Sequence, residues 1–400
     1  MQRAHNKRKI NTKSRATTNT SVKASIDMER PKLFEPLQVG ALKLDNRIVI
    51  APMCQYSAQD GQMTDWHLMH LGHLALSGAG LLTIEGTAVL PEGRITPFDV
   101  GLWDDATEAA MGRVLEAVRS WSPMPIALQL SHAGRKASAE APWRGGRHIS
   151  PHEPRGWQTV APSALPLSTG GTAPLALDED GLARVRDAFA RSAHRAGRLG
   201  LDAVQIHAAH GYLLHQFLSP ISNHRQDAYG GSLENRMRFP LEVFNAVRDA
   251  FPAERPVTVR VSGSDWIAGG ADVADAVAFA QALETRGCAA INVSSGGIDP
   301  MQRIVAGPNY QVPFAQAVKQ AVSIPVVAVG LITEFEQAEA IVGTGQADLI
   351  AIARAALYDP RWPWHAAARL GGHVRAPAQY LRSQPAQHAT LFDFDDWAEA

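Results

Sequence analysis

The stretch VQIHAAHGYLLHQFLSP, residues 204–220, sets three histidines and a tyrosine directly behind a short apolar run. An imidazole can ligate a metal, move a proton, donate a hydrogen bond to a ligand oxygen, or sit satisfied in a core. His215 lies within LLHQFL and suits a core. For His207, His210 and Tyr212, convergent donors around a ligand oxygen fit the pattern better than packing. Two more residues are out of place. Arg260 is a charge embedded in VTVRVS, where desolvation demands a partner, and Gln129 in IALQLS raises the same demand without charge.

The elements that must position these residues follow a repeat. From residue 33 onward, short apolar runs alternate with longer stretches of helical period. The runs are RIVIAPM (47–53), LLTIEG (81–86), IALQLS (126–131), AVQIHA (203–208), VTVRVS (257–262), AAINVSS (289–295), PVVAVG (325–330) and DLIAIA (348–353). Near-continuous apolar runs mark strands covered on both faces, and GLARVRDAFARSAHRAGRLG and ADVADAVAFAQALETRG read as helices between them. Eight such units predict an α/β fold, a (β/α)8 TIM barrel. A doubly wound open sheet would show a glycine-rich turn after its first strand, whereas APMCQYS follows here. LFEPLQVGALKLDNR predicts an N-terminal hairpin that plugs the barrel bottom. The loop after the third strand is far longer than a barrel needs. Its Trp143 and Trp157 argue for a lid or binding surface over disorder.

Composition narrows the partners. A hydrophobic share of 46% with 19% charged residues is that of a globular chain with a large core. The formal net charge of -1 offers no attraction to nucleic acid or to an anionic membrane surface. The two cysteines, Cys54 and Cys288, rule out a disulfide framework and suit a reducing, cytoplasmic compartment. Residues 1–30 form a basic extension that cannot bury a core and is expected to be disordered. The barrel is expected to span residues 31–373, and 374–400 form a C-terminal extension that could contact a neighbouring subunit.

Barrel active sites lie at the C-terminal strand ends, and the polar residues gather there. The first strand closes at Pro52, Met53, Cys54 and Tyr56, the second at Gly86, the seventh at Gly330 and the eighth at Ala353 and Arg354. A barrel metallohydrolase would need another histidine pair on the first strand and a carboxylate at the end of the eighth. Both are missing, since Asp348 stands at the start of its run, so no metal site is expected. A metal-dependent hydrolase and a catalytically silent binding barrel are the competing readings. A planar ring with alternating carbonyl and N–H groups, such as a flavin isoalloxazine, would satisfy both Arg260 and Gln129. Backbone N–H groups near Gly330, Ala353 and Arg354 would suit its phosphate. Cys54 alone would be an inert buried thiol; beside a flavin it becomes a tuning group.

RIVIAPMCQYSAQDGQMTDWHLMH, QLSHAGRKA, IHAAHGYLLHQFLSPISNHRQDAYGGSLENRMRF, VRVSGSDW and DLIAIARAALYDP together resemble the Old Yellow Enzyme family of FMN-dependent ene-reductases, in its thermophilic-like, xenobiotic-reductase branch. The similarity covers about residues 33 to 382 in order. It implies FMN at the barrel mouth, NADPH or NADH as reductant, and activated alkenes as small-molecule substrates in a homodimer or homotetramer. Hydride would pass from flavin N5 to the β-carbon of an unsaturated carbonyl or nitro compound. By motif, His207 and His210 would bind the substrate oxygen and Tyr212 would protonate the α-carbon. Tyr56 would line the substrate site, and Arg382 would reach a neighbour's site. Pro52, Met53, Cys54, Gly86, Gln129, Arg260, Gly330, Ala353 and Arg354 would hold FMN. Gly86 stands where the family usually has alanine, and Ala353 where it usually has glycine.

Overall fold

The computed structural model describes residues 30–393. The disorder expected of the basic extension at 1–30 falls outside the described residues but for residue 30, as do residues 394–400 of the C-terminal extension. Eight parallel strands close a barrel: β3 (Ile48–Ile50), β4 (Leu81–Ala88), β5 (Ile126–Ser131), β8 (Ala203–Ala208), β9 (Val257–Ser262), β10 (Ile291–Ser294), β11 (Val326–Val329) and β12 (Leu349–Ile352). The ring closes where Ile350 of β12 pairs with Ile48 of β3, which overturns the open-sheet alternative.

Side-chain alternation explains why these segments make a barrel. Ile48, Ile50, Leu82, Ile84, Leu128 and Ile206 point outward into one apolar layer, which they share with the surrounding helices. Those helices are α1 (Asp65–Ala75), α2 (Asp105–Arg119), α3 (Glu179–Arg198), α4 (Leu213–Leu218), α5 (Leu233–Ala250), α6 (Val273–Glu284), α7 (Val312–Ala321), α8 (Phe335–Gly343), α9 (Arg354–Tyr358) and α10 (Trp362–Leu370). Each fully buried aliphatic side chain stabilises by about 1.5–3 kcal/mol. Val49, Ala51, Val327, Val329, Leu349 and Ala351 point inward and form a second cluster. The hairpin of β1 (Leu37–Val39) and β2 (Leu42–Leu44) caps that cluster with Val39 and Leu44, so it plugs the barrel bottom as its sequence suggested.

Above the plug, the inward residues of the middle strands turn polar. Gln205, Thr258 and Asn292 line a cavity of about 30 Å³ at the level of the hairpin. Two residues further along the same faces come His207, Arg260 and Ser294. The long third loop is ordered by a short pairing of β6 (Val160–Ala161) with β7 (Leu175–Ala176). It is pinned by the Trp157 indole, which donates to Glu92 O at 2.9 Å. Past α10, β13 (Val374–Arg375) pairs with β14 (Phe392–Asp393), and these strands line a surface cavity with Asn46, Gly78 and Pro125, residues that precede barrel strands. No helix among the described residues is long and apolar enough to cross a membrane.

Candidate active site

The end of β8 and the turn after it carry three of the expected site residues together. The rings of His207 and His210 meet edge to face at 5.1 Å between centroids, and those of His207 and Tyr212 at 4.8 Å. Two consecutive residues, His210 and Gly211, adopt left-handed φ values of 60° and 74°. Glycine is required at the second, because a Cβ there would lie 2.0 Å from Gly297 O. His207 Nδ1 accepts the Ala209 N–H at 3.3 Å, which places the ring proton on Nε2. His210 Nε2 lies 2.7 Å from Ser294 Oγ, and its backbone N–H donates to Ser262 Oγ at 3.1 Å. Burial, with the Arg260 charge beside them, holds both imidazoles well below the ordinary histidine range, so both are neutral. Burial likewise pushes Tyr212 well up, and the phenol keeps its proton.

Arg260 pairs in register with His207 on one side and Asn292 on the other, so its side chain shares their inward row. Its guanidinium is buried, Nε has no hydrogen-bond partner, and none of the ion pairs among the described residues includes it. Burial lowers its pKa to about 10, and the groups that pull the other way are Tyr212, Tyr310 and Cys54, not a carboxylate. The buried ion pair that would explain an arginine in a strand is therefore absent among the described residues. A buried cation without a counter-charge is costly unless a ligand supplies one.

On and just past the strands that lead up to β8, Cys54 Sγ, Gln129 Oε1 and Ser131 Cβ surround the open face of Gly86, at 3.5, 3.4 and 3.7 Å from where a Cβ would stand. Gln129 is not left unsatisfied, since its Nε2 donates to Gln205 Oε1 at 2.7 Å. Burial, reinforced by Glu85 and Asp99, raises Cys54 well above the thiol range and keeps it protonated. Tyr56 sits at φ 49° with its ring 5.5 Å from that of Trp143 of the long loop. Burial raises its pKa as well.

Three comparisons bear on this geometry. The NADH:flavin oxidoreductase / NADH oxidase family model matches residues 32–371. The chain belongs to this family. It is similar to the NADPH dehydrogenase of Geobacillus thermodenitrificans, with 40% identity over 88% of this chain and 98% of the relative. The NADH:flavin oxidoreductase of Gibberella zeae is 44% identical over 78% of this chain and 80% of that one. Among solved structures, morphinone reductase superposes with a TM-score of 0.71 at 31% identity over 93% of this chain and 96% of that one. An old yellow enzyme homologue from Zymomonas mobilis gives 0.69 at 27% identity, over 91% of this chain and all of that one. As an Old Yellow Enzyme family member the protein is an NAD(P)H-dependent flavin oxidoreductase whose cofactor is FMN.

The residues present fit that cofactor. The orphaned Arg260 Nε offers a donor and a charge to an electron-rich ring edge, and the space over Gly86 is bounded by a thiol and an amide. Gly330, at φ 117°, closes β11 where a Cβ would strike Gln311 Nε2 at 2.3 Å, so only glycine fits there. Ala353 precedes α9, whose first N–H groups have no partner within the helix, and the Arg354 side chain is exposed. Pro52 and Met53 are half-buried between β3 and Cys54. Arg382 lies apart from all of these, exposed on the turn Ala378–Ser383, whose Tyr380 packs on Arg361 and Trp364.

Sequence reading missed Lys136. Its Nζ donates to His210 O at 2.8 Å and to Gly297 O at 3.0 Å, and lies 5.1 Å from the centre of the Tyr212 ring. Burial, with Arg135 adding to it, lowers its pKa to about 8. The only signal was a charge among small residues in HAGRKASA.

Proposed function

We propose that the protein is an ene-reductase that saturates the C=C bond of α,β-unsaturated carbonyl or nitro compounds. The observation that carries this reading is the group of His207, His210 and Tyr212, held neutral and protonated in one buried cluster beside an uncompensated Arg260. Reduced FMN, when bound, supplies hydride for the β-carbon of the substrate. Everything else falls to side chains of this chain. The His207 Nε2–H donates to the substrate oxygen. The hydrogen bond between His210 Nε2 and Ser294 Oγ holds the second imidazole beside the first. Both imidazoles, being neutral, withdraw density from the alkene by hydrogen bonding without protonating the oxygen outright. Tyr212 delivers its phenolic proton to the α-carbon.

In the same reading Arg260 and Gln129 hold the flavin ring, with Pro52, Met53, Cys54 and Gly86 against it. Gly330, Ala353 and Arg354 hold its phosphate, and Tyr56 lines the substrate site. The proposal extends to a cytoplasmic homo-oligomer in which Arg382 reaches a neighbour's mouth. Its exposure and the free thiols of Cys54 and Cys288 support this. The test is anaerobic. Protein bleached with NADPH should regain its yellow colour when 2-cyclohexenone is added. Protein that stays bleached until air is admitted, with no cyclohexanone formed, would exclude alkene reduction.

A further inference from the structure

His215 suited a core by its sequence, and it is buried, but its ring is not idle. Nδ1 accepts the Gly211 N–H at 2.8 Å, and Nε2 lies 2.9 Å from Asp265 Oδ1. Asp265, itself fully buried in the loop after β9, takes two more donors on Oδ2: Ser219 Oγ at 2.6 Å and the Ala271 N–H at 2.7 Å. With an N–H already aimed at Nδ1, the ring carries its proton on Nε2, 2.9 Å from a carboxylate whose charge favours it there.

The turn this bond holds is strained. A histidine at φ 60° followed by a residue at φ 74° persists only where its surroundings over-determine it. Every backbone group that could define the turn is engaged. Ala209 N–H goes to His207, His210 N–H to Ser262, Gly211 N–H to His215 and Tyr212 N–H to Ala209 O. On the carbonyl side, Lys136 takes His210 O, and Gln216 Nε2 takes Gly211 O at 2.7 Å. Among these bonds, the one from Gly211 to His215 falls between the two residues whose side chains must converge. Its acceptor ring is backed in turn by Asp265 of the loop after β9.

We propose that His215 and Asp265 are positioning residues: Asp265 fixes the His215 tautomer, His215 fixes the Gly211 peptide, and that peptide aims His210 and Tyr212 at the substrate oxygen and α-carbon. The proposal rests on the ene-reductase reading of the same site. A histidine that merely filled space would tolerate any side chain of similar volume. A positioning histidine tolerates only those that keep the acceptor facing Gly211.

The test uses flavin-loaded protein and para-hydroxybenzaldehyde, read by the long-wavelength band that a phenolate develops over oxidised flavin. His215→Asn retains an acceptor near the Nδ1 position, whereas His215→Gln retains a donor toward Asp265 and loses the bond to Gly211. Expected are near wild-type phenol binding in His215→Asn and a loss of about 10- to 100-fold in His215→Gln, at equal flavin content and equal melting temperature. Asp265→Asn sets an amide N–H against one of the donors now facing the carboxylate and should weaken binding over the same range. Equal affinity in the Asn and Gln variants, or undiminished binding in Asp265→Asn, would overturn the positioning role. A wild-type protein that binds flavin but no phenol would instead strike the ene-reductase reading beneath it.

Discussion

Tyr212 and Arg260 face different partners in the proposed reading, so removing each should impair a different half of the reaction. Tyr212→Phe deletes one phenolic proton and keeps the ring against His207. NADPH should still bleach the flavin at close to the normal rate, while reoxidation by alkene slows by about 10² to 10⁴, less where solvent can protonate an acidic intermediate. Stopped-flow traces of the two half-reactions check this, and equal slowing of both would place Tyr212 on the wrong partner. Arg260→Leu acts in the opposite sense on the empty and loaded protein. The guanidinium is buried, lacks a carboxylate partner among the described residues and has its pKa pressed down to about 10 by burial. Replacing it with an apolar side chain should leave the flavin-free barrel at least as stable, since no uncompensated charge stays buried. The same variant should lose FMN on dilution, because the ring edge then has no cation. Melting curves with and without FMN measure both effects, and a variant that kept its FMN would remove Arg260 from the cofactor site.

Two glycines test how far the elements dictate the site. At Gly211 an added Cβ would meet Gly297 O at 2.0 Å in a left-handed backbone, and neither the turn nor the loop after β10 can retreat without moving His210. Gly211→Ala should therefore cost several-fold or more in phenol binding and lower the melting temperature. At Gly86 the nearest atoms are 3.4 to 3.7 Å away, ordinary contact distances, so Gly86→Ala should fold normally and alter only how a flavin lies against β4. A shift of the flavin spectrum without loss of stability is the expected result, and destabilisation would show that the strand needs the glycine. The same contrast shows what the sequence could reveal. The eight strands and the hairpin plug were legible because alternation and apolar runs are local patterns. Arg260 and Gln129 were legible as polar residues inside such runs, although Gln129 turned out to bond Gln205, its register partner on β8. Lys136 and Asp265 were not. Lys136 acts on His210, 74 residues away, and Asp265 on His215, 50 residues away, through contacts that only barrel closure creates. His215 was read correctly as buried, and its role was hidden because burial says nothing of where a ring's two nitrogens point.

For the molecule as a whole, the buried histidines tie stability to pH. Burial, then the charge on His73, lowers His70 to about 4, and burial lowers His132 to about 4 as well. His207 and His210 are pressed down by burial and then by Arg260. All four stay neutral in the folded barrel where the unfolded chain, titrating near about 6.5, takes up protons. A base with a depressed folded pKa therefore withdraws stability as pH falls below about 6.5, by about 1.4 kcal/mol per pH unit for each proton so linked. Asp99 works the other way. Burial raises it to about 7, so the folded state holds its proton between about 4 and 7 and that contribution is lost as pH rises through 7. Burial lowers His73 too and raises Asp275, so five histidines against two carboxyls set the sign. Equilibrium urea unfolding of the FMN-loaded protein should show stability climbing from about pH 4.5 to about pH 6.5 and levelling off above about pH 7. His132→Asn isolates one share of that slope. The asparagine oxygen can still accept the Gly134 N–H that His132 Nδ1 holds at 3.0 Å, so the loop remains anchored while one linked proton disappears. Its stability profile should be shallower than wild type by about 1.4 kcal/mol per pH unit below about pH 6.5 and parallel to it above. An unchanged slope would mean that His132 is protonated in the folded barrel, and a stability that rises on acidification would mean the same of the histidines at the mouth.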